Sequence, residues 1–116
     1  MSAIAVAQKI KDKAAELFSK DKRIEKQVNE FLHIADRVII EAKANQLTIE
    51  KCVAHQTHML NSLEAVLDSA HKMGNKPLYV ETGKIFTFIS KWRVATKKMA
   101  NDKELMYQLI AMVKLF

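Results

Sequence analysis

Glycine and proline are scarce in this chain, with two of the first and one of the second among 116 residues. A β-rich domain needs many tight turns, and turns draw on those residue types, so the scarcity favours long helices joined by short connections. Cysteine is scarcer still. Cys52 stands alone, which excludes an intramolecular disulfide and fits a reducing compartment. No apolar run approaches the roughly 18 residues that a bilayer span requires. The apolar stretch from Ala3 to Ala7 is short for a secretory leader and runs into Lys9, Lys11 and Lys13. The expected location is therefore cytoplasmic, in a cell or an infected host cell. Enzyme signatures are missing too: there is no glycine-rich phosphate loop, no nucleophile elbow and no pair of acids on a predicted pocket. No enzymatic activity, cofactor or metal is expected.

What the chain has is apolar content at helical spacing. Hydrophobic residues make up 49% and charged residues 28%, enough to build a packed core and too apolar for disorder. Its length suits one domain over residues 1–116. The clearest segment runs from Thr48, a candidate N-cap, to Met73. Its seam passes through Ile49, Cys52, Met59, Leu63, Val66, Ala70 and Met73, widened by Val53, Leu60 and Leu67, with Gln56 as the one polar interruption. Gly74 supplies a left-handed stop and Pro77 follows it. This segment is expected to be the central helix against which the others pack.

Before it, one apolar phase runs through Ala3, Ala7, Ile10, Ala14, Leu17, Ile24, Val28, Phe31, Ala35, Val38 and Ala42. Unbroken, its roughly 40 residues would form a rod of about 60 Å. Asp21 is the polar member of that phase, and Ser19 and Asp21 offer capping side chains, which favours a break or bend there. An unbroken helix would instead bury Ile10 and Leu17 against a second subunit, giving a homodimer. Asn45 is read as closing the segment. Beyond Pro77, the stretch Ile85–Ile89 is β-branched and aromatic. Yet Leu78, Thr82, Ile85, Ile89, Trp92, Thr96 and Met99 keep helical spacing, and a lone strand would lack a pairing partner, so a helix is expected. Asn101 and Glu104 resemble a capping box opening a last helix through Leu105, Leu109, Met112 and Phe116. The fold expected is an all-α antiparallel bundle of four to five helices.

Three groups of residues suggest chemistry. Cys52, His55 and His58 stand three apart, a spacing that can seat metal ligands, but only Cys52 lies on the seam and no second Cys/His pair completes a site. Glu30 and His33 form the Glu-x-x-His of carboxylate di-iron bundles, but their phase turns them outward and no second copy exists. His58-Met59-Leu60-Asn61-Ser62 resembles the phospho-accepting histidine of four-helix phosphotransfer domains, with Asn61 and Ser62 standing where those domains place Lys and Gly. That resemblance implies histidine phosphotransfer at His58, the third of the functions considered.

Charge is more informative. Between Lys72 and Lys98 stand seven cations and one acid, Glu81, so this stretch carries +6, the net charge of the whole chain. Lys84, Lys91 and Lys98 recur every seven residues, along one side of a helix. A solvated face is the plain alternative. The functional expectation is a non-enzymatic interaction module, an adaptor, regulator or inhibitor, docking on a partner protein with an acidic surface. The alternative is weak, sequence-tolerant nucleic-acid binding, since lysine attracts phosphates without the bidentate geometry that reads bases. The residues expected to carry either are Lys76, Lys84, Lys91, Trp92, Arg93, Lys97 and Lys98, with Trp92 able to stack on a base or to pack in the core.

Overall fold

A computed structural model describes residues 3–19 and 21–98. It contains α1 (Ala3–Phe18), a 3-10 turn (Lys22–Ile24), α2 (Glu25–Lys43), α3 (Ile49–Lys72) and α4 (Lys76–Lys97), and no strand among the described residues. Met99 and the last helix expected through Leu105, Leu109, Met112 and Phe116 lie outside them. No helix among the described residues is long and apolar enough to cross a membrane.

Each boundary has a local cause. At Asp21 the backbone is extended, with φ −123° and ψ 106°, a state no continuing helix can hold. The Asp21 carboxylate accepts from the Arg23 backbone N–H at 3.0 Å and from the Arg23 guanidinium at 3.0 and 2.9 Å. The continuous phase therefore folds back on itself, and α1 packs along α2. The longest dimension of the described residues, 42 Å, is too short for the straight rod. With Ile10 fully buried inside one chain, the ground for expecting a homodimer disappears. Thr48 Oγ1 accepts from the Lys51 backbone N–H at 3.1 Å and opens α3. Asn75 Oδ1 accepts from that of Leu78 at 3.2 Å, with Pro77 in the first turn of α4. Asn45 and Gly74, at φ 55° and 66°, supply the left-handed residues that end α2 and α3.

Ala3, Ala42, Ile49 and Thr96 border one hollow of about 280 Å³. These residues begin α1, end α2, begin α3 and end α4, so consecutive helices run antiparallel. Helix α3 packs on α2 and α4 together. Helix α1, however, docks on α2 and meets α4 only sparsely, so α3 is not the centre for every helix. The amphipathic stripes meet in one core, where Ile10, Ile24, Phe31, Met59, Leu63 and Trp92 are all buried. Ile49, expected in that core, is 45% exposed, because the first residue of α3 borders the hollow at the bundle end. Leu17, Val53, Leu60, Leu67 and Phe86 are half-buried at the margins.

Gln56 explains its own intrusion into the seam. Its side chain is fully buried, and Nε2 donates to Thr96 Oγ1 at 2.9 Å, which donates in turn to the Trp92 carbonyl at 2.9 Å. Sliding α4 one turn along α3 would strand that amide in the core without its acceptor, so the pair fixes their register.

Candidate functional site

Helix α4 buries Leu78, Thr82, Ile85, Phe88, Ile89, Trp92 and Thr96. Helical geometry then turns Lys76, Val80, Lys84, Thr87, Lys91, Val94 and Lys98 outward, and all seven are exposed. The apolar members of this face are conspicuous: Val80 is 45% and Val94 47% exposed, and Tyr79 on its flank is 46% exposed. No acid of α4 is exposed, since Glu81 is half-buried.

The seven residues expected to bind a partner do not act as one set. Lys76, Lys84, Lys91 and Lys98 share the outward face, and Lys97 is exposed on the Tyr79 flank. Lys84 Nζ is paired with Glu81 Oε1 at 2.9 Å, and Lys72 with Asp68 at 3.0 Å. Lys76, Lys91, Lys97 and Lys98 have no acidic partner among the described residues. Arg93 is turned to α3, where its Nε donates to Thr57 Oγ1 at 3.1 Å. Trp92 is 2% exposed. Its ring belongs to the core and offers no face to a base.

Beside the lysine face runs a groove between α3 and α4, lined by Leu67, Tyr79 and Phe86 and edged by Glu64, Asp68 and His71. The His71 and Tyr79 rings meet there at 6.3 Å, tilted by 54°. Acidic side chains thus border the basic strip on the α3 side, and Glu81 of α4 itself meets it at Lys84.

The histidines and the cysteine separate in space. Cys52 is buried beside Gln56 Nε2 at 3.5 Å, and burial pushes its thiol above the ordinary range. His55 turns the other way, to α2, where its Nε2 donates to Glu41 Oε1 at 2.7 Å. That hydrogen bond holds the Glu41 carboxyl below its usual value, with His55, Lys51 and Arg37 adding charge attraction. His58 is exposed and borders a groove between α2 and α3 with Glu30 and His33. No group of three His, Cys, Asp or Glu among the described residues is placed to hold a metal ion.

The Glu41–His55 pair and the outward valines are what sequence reasoning missed. The valines carried a signal: Val80 and Val94 fall off the buried seam, and with Thr87 they repeat every seven residues. The pair carried none, because its members lie on different helices whose register only the fold supplies. Compared with known protein families, curated proteins and solved structures, the chain matches none.

Proposed function

We propose that the protein is a non-enzymatic interaction module, an adaptor, regulator or inhibitor, that docks an acidic protein surface on the outward face of α4. One observation carries the reading: on that face half-exposed valines alternate with lysines, and no exposed acid of α4 balances them. Lysine in water needs no valine beside it, and a phosphate backbone gains nothing from one. A protein partner uses both, burying the apolar residues while its own acids meet the lysine rim. The face supplies charge for nucleic acid, but Trp92 is buried and the exposed ring of Tyr79 stands on the flank of the lysine strip rather than among Lys84, Lys91 and Lys98. Phosphotransfer at His58 draws no support from the groove around it, where Glu30, His33 and Asn61 stand.

Capture from native lysate, with and without nuclease, tests the reading. The expected partner is a protein that survives nuclease treatment and is lost at least tenfold when Lys76, Lys91 and Lys98 are changed together to Gln. The nucleic-acid alternative predicts the reverse: capture abolished by nuclease, and duplex DNA binding whose logarithm falls with log salt by about 0.9 per phosphate contacted.

A further inference from the structure

We infer that the partner contributes a helix, acidic along one edge, that lies along α4 in a coiled-coil-like seam. This rests on the docking reading above and adds the shape of the occupant. Val80, Gly83, Thr87, Ser90 and Val94 follow one another at intervals of three, four, three and four residues. That is the spacing of the a and d positions of a heptad, and it runs along the outward face rather than the buried one. α4 therefore carries two stripes, one packed on the bundle and one with no described residue of another helix against it.

Gly83 is the second observation. A glycine inside a helix is unfavourable by about 1 kcal/mol relative to alanine, and close packing is the usual compensation. Here nothing lies within 4 Å of where a Cβ would stand. The packing of the described residues does not require glycine at this position, whereas an incoming side chain or backbone would use the gap. Ser90, the next d position, is equally shallow, and its hydroxyl is already bonded to the Phe86 carbonyl at 2.9 Å. A partner covering it strands no donor. Val80 and Val94 then stand as ridges on either side of two shallow positions, a surface suited to a row of larger aliphatic side chains.

The charges settle which helix fits. Lys84, Lys91 and Lys98 each follow the seam as e positions, every seven residues. In paired helices such positions meet the partner's flanking residues and select its charge. Glutamates there complement all three lysines. A second copy of α4 would set lysine against lysine in an antiparallel pair, and against Tyr79, Phe86 and Arg93 in a parallel one, with no acid in either, so this seam selects a different chain.

The probe is a labelled synthetic peptide of three heptads with Leu at a and d and Glu at e and g. Its control is a shuffled isomer of identical composition and charge. Binding to the full chain is read by fluorescence anisotropy at low salt. The heptad peptide is expected to bind at least tenfold more tightly than the shuffled one. Val80→Ser with Val94→Ser should remove that difference and leave shuffled-peptide binding unchanged. Gly83→Leu should weaken the heptad peptide at least tenfold while keeping or raising thermal stability, since leucine is the better helix former and has open space. Equal affinity for the two peptides, or a Gly83→Leu chain that binds as before, overturns the helical seam and leaves the acidic docking face standing. Binding of neither peptide overturns both.

Discussion

The outward faces of α2 and α4 are both long, exposed and rich in cations, yet they differ in kind. On α2 the exposed residues include Glu25, Lys26, Glu30, Arg37 and Lys43, with Ile40 as the one large apolar side chain. Signs are mixed, and Asp36 is tied to Lys11 of α1 at 2.7 Å. On α4 the exposed charges are Lys76, Lys84, Lys91, Lys97 and Lys98, and Val80 and Val94 stand among them. A helix that needs only water on its outer side looks like α2. The α4 face departs from that pattern in charge and in apolar content together, and it is the coincidence that marks it.

The inner faces should not differ, which gives the comparison its scale. Phe31→Ala on α2 and Trp92→Ala on α4 remove fully buried rings, and each should destabilise the fold by about 3–5 kcal/mol in denaturant unfolding. A loss below about 1 kcal/mol for Trp92→Ala would take the ring out of the core and return it to the surface as a stacking group.

A smaller effect belongs to the contact of α2 with α3, through Glu41 and His55. The folded-state pKa of Glu41 is depressed, chiefly because His55 donates to it. Its stabilisation is therefore full above the unfolded carboxylate value and disappears as pH falls through the folded one. Glu41→Gln should lower stability at neutral pH and flatten the acid limb of the stability curve. An acid limb of unchanged slope would mean that the pair is not formed in solution. The smallest expected change is on the outer face of α4. Replacing Lys84, Lys91 and Lys98 by Gln should leave the unfolding free energy within about 0.5 kcal/mol, since exposed charges and exposed ion pairs contribute little. A larger loss would make the lysines part of the fold and remove the contrast with α2.

How far the molecule was legible in its sequence follows from which interactions are local. The Thr48 cap, the left-handed Gly74 and the reversal at Asp21 are set within a few residues, and each stood in the chain as a recognisable signal; the Asn75 cap is equally local but was not read. Helical periodicity also overrode the strand-like composition of Ile85–Ile89, since the period extended over several turns and the composition over only five residues. Ile49 was misplaced because periodicity says which way a residue faces, not whether a neighbour reaches it at the helix end. Gln56 was visible as an interruption, but its partner Thr96 is forty positions away, and only the register of α3 on α4 brings the two together. The basic strip was legible as charge. Its sorting into free lysines, the Lys84–Glu81 pair, an Arg93 bonded to Thr57 and a buried Trp92 depended on packing.

The central claim is that α4, and not α2, presents the docking face, and a matched pair of variants tests it most directly. Lys76, Lys91 and Lys98 are changed to Gln in one chain, and Lys26, Arg37 and Lys43 in the other, so that each loses three positive charges. Partner capture from nuclease-treated lysate is then quantified against the unaltered chain. The account predicts at least a tenfold loss for the α4 variant and a change of less than twofold for the α2 variant. Equal losses would show that net charge rather than a face drives the binding, and undiminished capture by the α4 variant would contradict the claim outright.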